Sequence, residues 1–324
     1  MRRLGTYLFS LTAVVALPWW LGPYEPADLT AAFDSDRLGP GVQAYLETTE
    51  AGYDDITPGT EKRVIWAGQP EMRTPVSVVY LHGYSATSEE IRPVPDRIAQ
   101  ALGANLVYTR LAGHGRPGPA LAEATVSDWM HDTAEALAVA RAVGDRVVVI
   151  ATSTGATLAA AAAVDPELSA DVAAMVLVSP NFGINNSLAP LLTWPGARYW
   201  LPPLAGRERV IAPRSEAQET FWTIRYPSVA VMPLAALVEQ AAALDLSKTD
   251  IPALFWYSED DKVVRPDITT RKAAEWGGPV KVRLVTMGPG DDEYAHVVAG
   301  DAMSPGQTGT AVKEMLEWLK IALN

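Results

Sequence analysis

The sequence predicts an α/β protein: a mostly parallel sheet flanked by helices, with a helical cap inserted into the second half of the core. Three observations carry this. Short runs rich in Val, Ile, Leu and aromatic residues recur, most of them without polar alternation, as strands buried on both faces do. Helical stretches separate them, which parallel strands need for their crossovers. The alternation breaks once, over 182–250, and then resumes.

Taken in order, the chain opens with Arg2-Arg3 before an uncharged, mostly apolar stretch from Leu4 to Gly22, followed by Glu25, Asp28, Asp34 and Asp36. That charge asymmetry keeps an N-terminus in the cytoplasm and sends the rest across. Residues 1–24 are therefore expected to be an N-terminal membrane anchor or signal segment. The favoured form is an uncleaved anchor with Trp19-Trp20 at the interface, because Val14 and Ala16 make a poor cleavage motif; cleavage would give a secreted protein. The folded part is expected on the periplasmic or extracellular side. A polar, Pro/Gly-containing connector is expected over 25–60.

The core is expected to span 61–181 and 251–324. Its strands are read at Val64 to Ala67, Val76 to Leu81, Asn105 to Thr109, Val147 to Ala151, Met175 to Ser179, Ala253 to Tyr257 and Val280 to Thr286. Helices are read at Glu89 to Leu102, Val126 to Val143, Thr154 to Val164, Pro266 to Trp276 and Thr310 to Leu323. The cap, 182–250, turns to Pro, Trp, Leu and Ala with no clear strand. The run Ala159 to Ala163 reads as a tightly packed helix.

Composition narrows the function. With 48% apolar residues, only 20% charged and 10 Trp in 324 residues, the chain has the means to build a large core and is not a disordered tail. A net charge of −12 without any Lys/Arg run opposes binding to a phosphate backbone, so no nucleic-acid partner is expected. The absence of cysteine excludes disulfides and thiolate chemistry. No spacing of the His-Glu-x-x-His kind appears, and no metal or organic cofactor is expected.

One constellation carries chemistry. The run Val147 to Thr152 leads through Ser153 into Thr154-Gly155-Ala156-Thr157-Leu158: a buried strand, a turn of small residues and a helix start, with a serine at the apex. Such a turn exposes the serine Oγ above the sheet and needs small neighbours, because strand and helix pass close together. Leu81-His82-Gly83-Tyr84 follows another strand directly. Acyl transfer needs two N–H donors on the developing oxyanion, and those of Tyr84 and Thr154 are the expected pair. After the strand at Ala253 to Tyr257, the loop Ser258-Glu259-Asp260-Asp261 offers three carboxylates to orient a histidine, Asp261 first, then Asp260, then Glu259. Of four histidines, His82 sits in the oxyanion loop, His114 lies between Gly113 and Gly115, and His131 falls in a helix, which leaves His296 as base.

Together these residues make the chain resemble an α/β-hydrolase of the serine esterase, monoacylglycerol lipase and serine aminopeptidase type, from about Val64 to the C-terminus. Gly113-His114-Gly115 resembles the Gly-His-Gly turn of such enzymes, and Asp128-Trp129 with Asp132 the start of their next helix. The resemblance implies Ser153 as nucleophile, Asp261 as acid, His296 as base, and Tyr84 and Thr154 as oxyanion donors. Ala151 stands where the family usually has Gly. It also implies two-step acyl transfer without a cofactor, His296 taking the Ser153 proton and water later releasing the acid.

The expected function is hydrolysis of carboxylic esters. Leu188, Leu191, Leu192, Trp194, Tyr199, Trp200, Leu201, Phe221, Trp222 and Tyr226 give the cap an apolar character that, beside a membrane anchor, suits lipid-derived esters such as monoacylglycerols or lysophospholipids. An aminopeptidase of the same fold would need a cap carboxylate for the substrate's amino terminus, with Glu208, Glu216, Glu219 and Glu239 available. A catalytically inactive membrane-tethered binding protein would show His296 out of reach of Ser153.

Overall fold

The computed structural model describes residues 22–324. In chain order the elements are α1 (Val42–Glu50), β1 (Arg63–Ile65), β2 (Thr74–Leu81), α2 (Val94–Leu102), β3 (Asn105–Tyr108), α3 (Gly118–Glu123), α4 (Val126–Val143), β4 (Gly144–Thr152), α5 (Thr154–Ala163) and β5 (Val172–Val178). There follow α6 (Ala197–Ala205), β6 (Glu208–Val210), α7 (Glu216–Phe221), β7 (Arg225–Pro227) and α8 (Val231–Ala242), then β8 (Ala253–Tyr257), α9 (Pro266–Glu275), β9 (Val280–Leu284) and α10 (Pro305–Ala322).

Seven strands form one sheet in the order β1-β3-β2-β4-β5-β8-β9, parallel except for β1, which runs antiparallel to β3 at one edge. Every strand read from the sequence is in it. Alternate side chains of β4 enter two cores: Val147, Val149 and Ala151 pack with α4 and α5, while Val148 and Ile150 pack with α2 and α10. Burial on both faces is why β2, β3, β4, β5 and β8 show no polar alternation, whereas β9, at the sheet edge, alternates Val and Leu with Lys and Arg and is largely exposed. All ten residues of α5 are buried, the environment a helix without a polar face requires.

Differences from the sequence reading have local causes. The helix expected from Glu89 begins at Val94, with Pro93 at its N-cap and Pro95 in its first turn, where a missing N–H costs no helical hydrogen bond. The last helix starts five residues early, at Pro305, whose fixed φ suits the first helical position. The cap is not purely helical: β6 and β7 pair as an antiparallel hairpin, too short for a periodicity to register. Within 25–60, α1 packs on the core, and Glu50 accepts two hydrogen bonds from the buried Arg110 guanidinium, each 2.8 Å.

The expected anchor lies almost wholly in residues 1–21, outside those described. Among the described residues no helix is long and apolar enough to cross a membrane.

Candidate active site

The C-terminal ends of the parallel strands converge on one place, as open α/β sheets arrange. From β4 the chain turns sharply at Ser153, with φ 51° and ψ −115°, before α5 begins. A side-chain-bearing residue at positive φ is strained, and the surroundings hold it there: the Ser153 N–H donates to Val178 O at 2.9 Å, while Ser153 O accepts from the Thr157 and Asn181 N–H groups at 3.0 and 3.3 Å. The close passage of helix and strand explains Gly155. A Cβ there would lie 2.2 Å from Leu81 O and 2.6 Å from His82 O, contacts no side chain tolerates. Ala151, by contrast, is a buried β4 residue paired in register with Leu81, so its methyl group is accommodated.

His296 reaches Ser153 from the loop after β9. Its Nε2 lies 3.0 Å from Ser153 Oγ and its Nδ1 lies 2.8 Å from Asp261 Oδ2. Asp261 is held in turn by two N–H donors on its other oxygen, from Val263 at 2.8 Å and Val264 at 2.9 Å. Of the three loop carboxylates, Asp261 is buried and meets the histidine, whereas Glu259 and Asp260 are exposed. Burial works against a charged imidazole at His296, yet the Asp261 carboxylate beside it, with Glu90 and Asp292 further off, outweighs burial and raises the pKa.

The loop after β2 completes the arrangement. A Cβ on Gly83 would sit 3.2 Å from Ser153 Cβ, so the two turns are in contact. Among the described residues, the backbone N–H groups of Tyr84 and Thr154 find no internal acceptor, which leaves both available to an oxyanion. The other histidines have different partners. His82 accepts from the Leu111 N–H on Nε2 at 3.1 Å, so its Nδ1 carries the proton toward Gly83 O at 2.9 Å, and burial pushes its pKa down to about 4. His114 bonds Ala112 O through Nδ1 and is likewise held neutral by burial, and His131 rests against Phe33. The helix-start motif has a mechanical role: Trp129 Nε1 donates to Ala112 O, and Asp132 accepts from the Ala112 N–H, bracing the Gly113-His114-Gly115 turn.

Two acidic residues near the site had no role in the sequence reading. Asp292 accepts the N–H groups of Tyr294, His296 and Val297 and pairs with Arg214 of the cap, which shapes the histidine loop. Glu90 lies buried beside Gly83. Both sit among other acidic and polar residues, and only their tertiary contacts single them out. The cap meets the site through that Arg214 pair, through the Thr223 N–H, which donates to Ser85 O at 2.7 Å, through Asn185 Nδ2, which donates to Asp261 O at 2.9 Å, and through Tyr226, whose ring packs edge-on against Tyr84. Of the cap aromatics, Trp222 and Tyr226 are buried, while Trp194 and Tyr199 are exposed. Glu208, Glu216, Glu219 and Glu239 all lie on the solvent side.

Residues 78–304 match the model of the alpha/beta hydrolase family. The chain is 27% identical over 192 residues to a thermostable monoacylglycerol lipase of Bacillus sp. (strain H-257), covering 59% of this chain and 73% of the lipase. Among solved structures, one described with LipS and LipT, two metagenome-derived lipolytic enzymes, superposes with a TM-score of 0.63 at 17% identity, covering 82% of this chain and 99% of that one. The monoacylglycerol lipase of Paleococcus ferrophilus superposes with a TM-score of 0.54 at 13% identity, covering 81% and 99%. At those identities the two structures share the fold with this chain.

Proposed function

Because the chain belongs to the α/β-hydrolase family, we propose that it is a serine hydrolase of carboxylic esters working through Ser153, His296 and Asp261. The observation that carries the reading is the continuous chain of contacts from Asp261 through His296 to Ser153 Oγ, at 2.8 and 3.0 Å. His296 Nε2 takes the serine proton as Oγ attacks the acyl carbonyl, and Asp261 stabilises the imidazolium that forms. The N–H groups of Tyr84 and Thr154 receive the oxyanion. The alcohol leaves with the His296 proton, and water attacks the acyl-enzyme through the same base.

Lipid-derived esters such as monoacylglycerols or lysophospholipids are the proposed substrates. The apolar residues of the cap and the similarity to a monoacylglycerol lipase support that class. Hydrogen-bonding reach between His296 and Ser153 favours an enzyme over an inactive binding protein, and the exposure of the four cap glutamates favours esters over amino-terminal peptides. The N-terminal segment is proposed to hold the enzyme at a membrane with its folded part outside the cytoplasm, on the charge pattern around Leu4 to Gly22.

Turnover of p-nitrophenyl esters from acetyl to palmitoyl by the full chain in detergent, with Ser153→Ala alongside, tests the reading. Activity that vanishes in Ser153→Ala is expected, with an optimum at medium or long acyl chains. Absence of turnover across the series by the intact protein refutes it.

A further inference from the structure

The triad leaves one buried carboxylate beside the nucleophile without a role. Glu90 is 3% exposed and follows the loop that carries Gly83 and Tyr84. Its Oε2 accepts the Gly83 N–H at 2.7 Å and the Tyr80 hydroxyl at 2.9 Å. The Tyr80 hydroxyl also lies 3.1 Å from Thr152 Oγ1, the last residue of β4 before Ser153. The other Glu90 oxygen, Oε1, lies where a side chain on Gly83 would go: a Cβ there would stand 2.6 Å from it and 3.2 Å from Ser153 Cβ. The missing side chain of Gly83 thus leaves the space that the carboxylate occupies close to the nucleophile.

Leaving a charge-bearing group this deep is unfavourable unless something offsets the lost hydration. Two donors on Oε2 do so in part, and burial still raises the Glu90 pKa, opposed by those hydrogen bonds and by His296. No Lys or Arg among the described residues pairs with it. The groups that bear on His296 are Asp261 from the loop after β8, Asp292 from its own loop with Arg214 of the cap on its far side, and Glu90 from the segment before α2. Glu90 thus bears on two parts of the site at once. It holds the Gly83 N–H, and so fixes the loop whose next N–H belongs to Tyr84, and its charge favours the protonated imidazole of His296 alongside that of Asp261.

On the serine-hydrolase reading above, we propose that Glu90 is a positioning residue for the reaction, fixing the oxyanion loop through the Gly83 N–H and supporting the His296 imidazolium through its charge. The two roles separate in variants. Glu90→Gln keeps an acceptor for Gly83 and loses the charge. Glu90→Ala loses both, and Glu90→Asp keeps the charge but withdraws it from Gly83.

The test is kcat and the pH profile of kcat/KM on a p-nitrophenyl ester with the full chain, rates being referred to sites titrated by a fluorophosphonate so that unfolded protein does not count. Glu90→Gln is expected to move the acid limb to lower pH with KM nearly unchanged. Glu90→Ala and Glu90→Asp are expected to lose roughly tenfold to a hundredfold in kcat, part of what a missing oxyanion donor costs. An acid limb of Glu90→Gln superimposed on wild type overturns the charge role, and wild-type kcat in Glu90→Ala or Glu90→Asp overturns the loop role. If Glu90→Gln and Glu90→Ala do not fold, Glu90→Asp decides: reduced kcat with the wild-type limb upholds the proposal, and wild-type kcat overturns it. Wild-type protein that neither turns over esters nor labels at Ser153 removes the hydrolase reading, and the positioning role falls with it.

Discussion

Replacing Asp261 by Asn exchanges one carboxylate oxygen for an NH2 group and should remove almost all activity. The Asp261 carboxylate accepts three hydrogen bonds, two from the Val263 and Val264 N–H groups on Oδ1 and one from His296 on Oδ2. In Asn the amide oxygen stays on the Oδ1 side, because turning it round would leave two buried N–H donors facing an NH2 group, at about 1–3 kcal/mol each. The NH2 group then points at His296 Nδ1 and needs an acceptor there. The imidazole proton moves to Nε2, which faces Ser153 Oγ at 3.0 Å and can no longer take its proton. A wrong tautomer in a serine triad lowers kcat by roughly 10⁴-fold, or about 5 kcal/mol in the barrier. Because the Oδ1 contacts survive, the melting temperature should stay within about 3 °C of wild type. Asp260→Asn, at an exposed position, should keep kcat/KM within about twofold. The assay is p-nitrophenyl ester hydrolysis with a thermal melt on the same samples. An Asp261→Asn protein that keeps more than about a tenth of wild-type kcat/KM, or a large loss in Asp260→Asn, would refute the reasoning.

Other consequences are equally direct. His296 must be neutral to accept a proton and its pKa is raised, so kcat/KM should fall with decreasing pH through a midpoint above the ordinary value of about 6.5; Asp261→Ala should lower that midpoint, as a profile from pH 5 to 9 would record. Ser153→Gly should abolish hydrolysis yet raise the melting temperature, since relief of the φ 51° conformation is worth about 1–3 kcal/mol, and a melt no higher than that of Ser153→Ala would contradict the strain. Gly155→Ala forces a methyl group against Leu81 O and His82 O, so soluble yield and fluorophosphonate labelling should both collapse. Arg110→Ala strands the buried Glu50 carboxylate and should cost about 3–5 kcal/mol in urea unfolding, whereas Arg110→Met with Glu50→Leu should restore most of it.

The sequence by itself determined the layered sheet and the order of its strands along the chain, because most of the strands are buried on both faces and leave short apolar runs rich in β-branched residues, whereas a buried helix such as α5 leaves a longer run of Ala. It also determined where the serine turn lies, since a strand, a turn of small residues and a helix start are local features. What it left open is non-local. Asp260 and Asp261 are adjacent and chemically identical, and only the fold turns one inward to His296 and leaves the other in solvent. The hairpin of β6 and β7, three residues a side, exists through pairing across the cap and through Gly118, which lets the chain near Arg225 approach α3. The roles of Asp292 and Glu90 depend on backbone N–H groups 2 to 7 residues away and on partners from the cap and β2, contacts that no residue type encodes alone. Pattern along a chain reports periodic burial; the direction in which a single carboxylate points is decided by the packing of segments far apart in sequence.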